Sequence, residues 1–283
     1  MERIAIMADS GCDLPEEMIN KENVRVLPLK ILYEDGEYLD GVNIEPSMVY
    51  DRFPGQIPKT STPNFAEVIA AAEELKAKGY NRILAVCISS GLSSTWQNVC
   101  AALSEVEDIE FHVVDSKNIS IGAGVLAMYA QQLVEQGLPF EEICRRVEEN
   151  VEFSHIFYYM DTLDYLRAGG RIGRVSGAIG SLLNIKPIIS CNRSGVYHIV
   201  SMIRGRKRGL EKLLDCVSEH YDEKKENFLA IMHGAAPEAV REIREKIRAR
   251  FPRAKVLLEK QINASLAVHT GPGLIGVLCW TKA

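Results

Sequence analysis

The sequence lacks the loops by which many enzymes bind nucleotides or present a nucleophile. No Gly-x-x-x-x-Gly-Lys-Ser/Thr segment is present to hold the phosphates of a nucleoside triphosphate. Gly122-x-Gly124 lacks the third glycine of a dinucleotide-binding turn, and there is no Gly-x-Ser-x-Gly nucleophile elbow. A hydrolase with Ser93 as nucleophile and His269 as base remains an alternative, although no neighbouring Asp or Glu is available to orient the histidine ring.

Disulfide, zinc and membrane-spanning patterns are absent too. The seven cysteines are scattered, odd in number and contain no Cys-x-x-Cys pair, and the histidines show no metal-ligand spacing. The first residues do not resemble a signal peptide, and the apolar stretch Ser265–Trp280 is too short to cross a bilayer. These patterns predict a protein of the reducing cytoplasm that has no disulfide framework and no metal site.

The charge balance argues against a general nucleic-acid-binding protein. The net charge is −5, with 25% charged and 47% hydrophobic residues, whereas such proteins are usually basic. One short basic run, Arg204–Arg208, is the exception. It is too short to reverse the conclusion, but it is a candidate contact for an acidic partner or a phosphate.

Strand and helix patterns alternate through the first half of the chain and predict a mostly parallel sheet. The predicted strands are Ile4–Met7, Val24–Tyr33, Arg82–Ile88 and Phe111–Val114. Ligands of such sheets bind beyond the carboxyl ends of the strands. Asp9-Ser10, Ser89–Ser94 and Asp115–Lys117 all follow predicted strands, so we expect them at that edge, with Asp9, Ser10 and Asp115 bracing the loops.

The pattern changes near residue 154. Two apolar runs, Ile185–Cys191 and Val196–Ile203, flank Asn192-Arg-Ser-Gly195 and predict a hairpin. A chain of 283 residues is long enough for two domains. We therefore predict two α/β domains, residues 1–157 and 158–283, with a ligand bound between them.

Two hydroxyl-rich segments precede predicted helices. Ser89-Ser-Gly-Leu-Ser-Ser-Thr95 follows a strand and leads into a helix, whose first N–H groups lack intrahelical partners and favour an anion. Ser93 and Ser94 are candidates either for capping that helix or for contacting a ligand. In Lys59-Thr-Ser-Thr-Pro63, Thr62 is the predicted cap of the helix Asn64–Ala77, which leaves Thr60 and Ser61 free.

A third candidate is His269, which lies in a predicted turn bounded by glycine. Together with the hydroxyl-rich segments it belongs to an ordered series of motifs that resembles the DegV family, the bacterial fatty-acid-binding proteins also called FakB. The series spans residues 9 to 273 and consists of Asp9-Ser10, Thr60-Ser61-x-Pro63, Ser89-Ser-Gly-Leu-Ser93, Asp115-Ser-Lys117, Thr162-Leu-x-Tyr-Leu166, Gly169-Gly-Arg-Ile172, Leu183-Asn-Ile-Lys-Pro187 and His269-Thr-Gly-Pro-Gly273.

The resemblance implies a carrier that has no catalytic residues and no cofactor. It implies a long-chain fatty acid whose carboxylate is held by Thr60, Ser61, Ser93 and His269, with Thr62 and Ser94 as neighbours. It further implies that Arg171 and Arg204 serve the encounter with a separate ATP-using fatty acid kinase, which forms an acyl phosphate. We expect a monomer that makes at most transient membrane contact. Candidate segments for an apolar tunnel are Ile119–Ala130, Ile179–Ile189 and Leu266.

The sequence departs from the family pattern at four positions. Thr62 replaces a glutamine, Ser94 a glycine, Trp96 a tyrosine and Gly11 a threonine. The resemblance implies that the Cβ of Ser94 stands where backbone approaches the head group. Two other classes of function stay open. One is an enzyme, either a serine-dependent esterase or a phosphotransferase that uses Arg171 and Arg204. The other is a lipid sensor that signals to a partner protein.

Overall fold

A computed structural model describes residues 2–172 and 185–283 of the chain. The strands in these ranges are β1 (Ile4–Asp9), β2 (Val24–Leu27), β3 (Lys30–Tyr33), β4 (Gly36–Leu39), β5 (Lys59–Ser61), β6 (Arg82–Cys87), β7 (Glu110–Asp115), β8 (Ser154–Tyr159), β9 (Ile185–Cys191), β10 (Tyr197–Arg204), β11 (Asn227–His233), β12 (Lys255–Gln261) and β13 (Ile275–Thr281).

The helices in the same ranges are α1 (Glu16–Ile19), α2 (Pro46–Arg52), α3 (Phe65–Ala77), α4 (Thr95–Leu103), α5 (Ile121–Glu135), α6 (Phe140–Asn150), α7 (Asp164–Ala168), α8 (Arg206–Ser218), α9 (Pro237–Arg250) and α10 (Ala264–Thr270). None of the described helices is both long enough and apolar enough to cross a membrane.

The first sheet has the strand order β2-β1-β6-β7, and all three pairings are parallel. Its central strands are continuous apolar runs because both faces are covered. Ala5 and Met7 of β1 pack with α3 and α4, whereas Ile4, Ile6 and Ala8 pack on the side of α5. The predicted parallel sheet is therefore confirmed, with the loops after β1, β6 and β7 at one edge.

The second sheet has the order β10-β9-β8-β13-β11-β12 and is mixed, since only β11 and β12 pair in parallel. Helices α8 and α9 cover one face, and α5 packs against β8 and β13 on the other. Helix α5 thus joins the cores of the two sheets. The predicted β9–β10 hairpin is confirmed. The predicted domain division at 157/158 falls within β8, all of which pairs in this sheet, and it stays a prediction.

A small antiparallel sheet has the strand order β4-β3-β5, and it shows that one predicted strand is wrong. The prediction was a single strand over Val24–Tyr33. Because Pro28 has no N–H to donate, the segment divides into β2, which pairs in the first sheet, and β3, which pairs with β4 and β5.

The predicted Thr62 cap of α3 is also wrong. Asn64 caps α3 instead, in a reciprocal pair of bonds with Glu67: its side chain accepts from Glu67 N (2.8 Å), and Glu67 accepts from Asn64 N (2.7 Å).

Candidate functional site

A cavity of about 180 Å3 lies where the carboxyl edge of the first sheet meets β5, β10 and α10. Every predicted carboxylate-binding residue lines it, together with one of the two predicted arginines. The polar lining consists of Thr60, Ser61, Thr62, Ser93, Ser94, Arg171, Ser265, His269 and Thr270. Folding therefore brings together four segments of the chain, and Thr60 and His269, which are in contact, are 209 residues apart in sequence.

The lining of the cavity is both polar and apolar. Ser61 and Ser94 are exposed, and Ser265 and Thr270 are polar but buried. The apolar lining residues include Ile88, Ile119 and Tyr197, which are buried, together with Leu29, Leu92 and Leu266. Such a mixed lining suits a ligand that has both a polar head and an apolar tail.

His269 and Thr60 are the best-defined pair of polar groups in the cavity. The Nε2 atom of His269 and the Oγ1 atom of Thr60 lie 2.9 Å apart. His269 stands in the last turn of α10, not in the predicted turn, because the helix continues to Thr270 before Gly271 adopts a φ of 71° and ends it. The histidine is therefore presented by a rigid element and not by a loop.

Burial keeps the His269 ring neutral. Desolvation, and secondarily the positive charge of Arg171, lowers the pKa of His269 to about 3. Its Nδ1 atom is buried and has no hydrogen-bond partner among the described residues. A Cβ added at Gly169 would overlap this atom, so the absence of a side chain there lets the ring fit. At neutral pH the ring can thus act on a ligand only through hydrogen bonds.

The hydroxyls of Ser93 and Ser94 have different surroundings. Ser93 Oγ lies 2.8 Å from Thr95 Oγ1 and accepts a bond from Thr95 N (3.3 Å), so it supports the first turn of α4. Ser94 occupies the cap position, but its side chain makes no capping bond. The helix therefore uses Ser93, and it leaves the hydroxyl of Ser94 available at the opening.

The two predicted arginines are placed differently. Arg171 lines the cavity and donates from Nη1 to the carbonyl oxygen of Gly169 (3.0 Å). Arg204 is exposed at the end of β10, and it is not among the residues that line the cavity. Of the two arginines, only Arg171 therefore places a positive charge at the cavity.

Asp9 and Asp115 brace loops, as expected. Asp9 accepts bonds from Gly11 N and Ile88 N, both 2.9 Å long. Burial raises its pKa to about 7. Asp115 accepts from Ser90 N (3.1 Å) and pairs with Lys117. Ser10 donates to Asp40 (2.6 Å), a buried residue that sequence reasoning missed.

The predicted apolar segments contribute only in part. Ile119 and Leu266 line the cavity, whereas Ile121 to Ala130 belong to α5 in the core. The part of Ile179–Ile189 before residue 185 lies outside the described residues, as do residues 183 and 184 of the Leu183–Pro187 motif. Sequence reasoning missed Leu29, Ile88, Leu92 and Tyr197, although Ile88 and Leu92 lie at the strand end that it had singled out.

The groups needed for hydrolysis are not assembled among the described residues. His269 Nε2 is directed at Thr60, and no carboxylate orients its Nδ1 atom. In the same part of the chain, no group of three or more His, Cys, Asp or Glu side chains is placed to hold a metal ion.

Comparisons with known proteins decide the family. A family model described as "Uncharacterised protein, DegV family" matches residues 3–282. The chain belongs to the DegV family. A DegV domain-containing protein of Clostridium acetobutylicum is 36% identical over 282 residues, and the match covers 100% of each chain.

Two solved structures superpose over nearly the whole chain. One, on fatty acid binding by a DegV family protein from Thermus thermophilus, has a TM-score of 0.92 at 27% identity and covers 99% of each chain. The other is a stearic acid-binding protein from Eubacterium ventriosum, with a TM-score of 0.90 at 27% identity and 99% coverage of each chain. The resemblance and the fold class predicted from the sequence are thereby confirmed.

Proposed function

We propose that this DegV-family chain binds a long-chain fatty acid in the cavity described above. The observation that carries the proposal is one cavity that combines hydroxyl, imidazole and guanidinium groups with buried apolar side chains, in a family whose solved members include fatty-acid-binding proteins. Each buried CH2 group of the tail contributes about 0.8 kcal/mol. Apolar burial therefore supplies most of the affinity, and the head group sets the orientation.

The carboxylate is held by Thr60, Ser61, Ser93 and His269, with Thr62 and Ser94 beside them. Because His269 is neutral, it acts as a hydrogen-bonding partner and not as a counter-ion. If its Nε2–H donates to Thr60 Oγ1, the hydroxyl of Thr60 is free to donate to the carboxylate. Arg171 supplies the positive charge at the cavity.

The chain presents this carboxylate to a separate fatty acid kinase. A carboxylate oxygen attacks the γ-phosphorus of ATP on the kinase, ADP leaves, and an acyl phosphate remains at the opening. Arg171 lies where it can meet the new phosphoryl group, because a guanidinium can bind phosphate through two bonds. Arg204 and the exposed residues Arg206, Lys207 and Arg208 supply a basic surface for the partner.

The experiment combines the purified chain with stearate, ATP and a bacterial fatty acid kinase, and it measures acyl phosphate. We expect the double variant Ser93→Ala/His269→Ala to abolish acyl phosphate formation while it retains the fold by circular dichroism. A double variant that works at the wild-type rate would overturn the site assignment. The matched control is Ser104→Ala/His112→Ala, which changes the same residue types at positions that do not line the cavity.

We propose a monomer of two domains, residues 1–157 and 158–283, that acts in the cytoplasm and makes transient contact with membranes. The seven scattered cysteines, which include no Cys-x-x-Cys pair, support a reducing compartment. The esterase alternative predicts cleavage of a long-chain ester by the chain alone, without added kinase.

A further inference from the structure

Helix α10 carries four residues of the cavity lining but provides no cap for its own first turn. Ser265, Leu266, His269 and Thr270 all line the cavity. Asn263, at the cap position, makes no capping bond with its side chain, although the first residues of the helix are buried. The N–H groups of that turn need acceptors from elsewhere, because a buried N–H without a partner is costly.

Two buried aspartates from the first forty residues supply these acceptors. Asn263 N donates to Asp13 Oδ1 over 2.8 Å, and Ser265 N donates to Asp40 Oδ1 over 3.0 Å. The hydroxyl of Ser265 also donates to Asp40 Oδ2 (2.5 Å). Helix α10 is thus capped by residues that are 225 to 250 positions away.

Asp40 also reaches a second wall of the cavity. Ser10 Oγ donates to Asp40 Oδ2 (2.6 Å) and accepts the bond from Leu29 N (2.9 Å). Leu29 lines the cavity, as Ser265 does. The carboxylate of Asp40 therefore fixes the spacing between two lining segments that are far apart in the sequence.

We propose that Asp13 and Asp40 are positioning residues of the fatty-acid site, which hold α10 so that His269 meets Thr60. The helix has seven residues and is about 10 Å long, so a shift of its first turn displaces its last turn, where His269 stands. Neither aspartate lines the cavity, and both act through α10. This inference rests on the proposed function and adds the groups that set the geometry of its head-group site.

The first experiment follows the His269 ring by NMR in the ligand-free protein, over a pH titration. Because burial lowers the pKa of His269 to about 3, we expect the wild-type ring to stay neutral over most of the titration. We expect Asp40→Ala and Asp13→Ala to release α10, to break the bond to Thr60 and to move the pKa of His269 toward its ordinary value. Asp40→Asn keeps one acceptor for Ser265 N, so it should restore part of the wild-type behaviour and serve if the alanine variant does not fold.

The matched control is Asp222→Ala. Asp222 also accepts a bond from a backbone N–H, that of Lys224 (2.9 Å), but it does not line the cavity and accepts no bond from α10. It should leave the His269 signals unchanged. His155 gives an internal reference for the rest of the fold, because it is stacked on His220 (ring centroids 3.7 Å apart) and burial lowers its pKa to about 4.

The second readout is the affinity for stearate, which we expect to weaken about tenfold or more in Asp40→Ala. His269 signals and stearate affinity that both stay at wild-type values in the Asp13 and Asp40 variants would overturn the inference. If the wild type binds no stearate, the proposed function fails, but the titration of His269 still decides whether the aspartates position α10.

Discussion

The loop after β6 and helix α10 both line the cavity. They differ in how far along the sequence the residues lie that hold their ligand-facing side chains in place. Ser93 is held by Thr95, two residues away. His269 is held through Thr60, and its helix through Asp13 and Asp40, all more than 200 residues away. A local arrangement survives changes elsewhere in the chain, whereas the α10 side depends on how all three sheets pack together.

The first residues of the loop after β6 nevertheless have long-range anchors, and the bond between Ser89 and Gly195 gives the largest expected effect. Ser89 Oγ donates to Gly195 O (2.8 Å) in the β9–β10 turn. Gly195 has a φ of 72°, and an added Cβ would overlap Ser89 Oγ. Gly195→Ala should therefore lower the free energy of unfolding by about 3 kcal/mol, the sum of backbone strain and overpacking, as measured by urea denaturation.

The control for Gly195 separates these two causes. Gly137 has a φ of 75°, but a Cβ added there meets nothing within 4 Å. Gly137→Ala should cost only the backbone strain, about 1 kcal/mol. Equal losses in the two variants would show that the contact between Ser89 and Gly195 does not hold the loop.

A substitution at Gly169 should displace the His269 ring of α10, and we expect its effect on stability to be intermediate. Gly169 has an ordinary φ of −77°, but an added Cβ would overlap Nδ1 of His269. Gly169→Ala should displace the ring from Thr60, reduce stability by about 1–3 kcal/mol and weaken stearate binding about tenfold. Isothermal titration and denaturation measure the two effects.

The neighbouring glycine provides the control. Gly170 has a φ of 70° and open space around its Cβ position, so Gly170→Ala strains the backbone without touching His269. The His269 NMR signals should change in Gly169→Ala and stay as they are in Gly170→Ala. Unchanged signals in both variants would contradict the close packing of the ring on Gly169.

The smallest expected effect is a difference in stability between variants of two adjacent serines, Ser93 and Ser94. Ser93→Ala removes the acceptor for Thr95 N and should cost about 1 kcal/mol of stability, a usual value for a lost cap. Ser94→Ala removes a hydroxyl that makes no capping bond, so it should change stability by less than about 0.5 kcal/mol. Thermal denaturation of the two variants tests this difference. A loss in Ser94→Ala as large as that in Ser93→Ala would mean that the helix uses both.

The difference in range also explains which features could be predicted from the sequence. The loops after β1, β6 and β7 were expected at one edge, because parallel strands end on the same side of a sheet. The Asn64 cap was missed although its signal is local: an asparagine followed three residues later by Glu67.

Other features have no local signal. Nothing in the residues around His269 shows that Asp13 and Asp40 cap its helix, since Asp13 follows β1 of the first sheet, Asp40 follows β4 of the small sheet and α10 follows β12 of the second sheet. The separation of Arg171 from Arg204 at the cavity likewise follows from tertiary structure. The apolar lining could not be told from ordinary core by residue type, because both consist of buried Leu, Ile and Tyr.

The most direct measurement is native mass spectrometry of the purified chain, followed by extraction of its ligand under denaturing conditions. We predict about one long-chain fatty acid per chain, and its length and unsaturation would identify the preferred ligand. The variant Ser93→Ala/His269→Ala should carry less of it. A wild-type chain that carries no fatty acid and takes up none when it is added would contradict the proposed function.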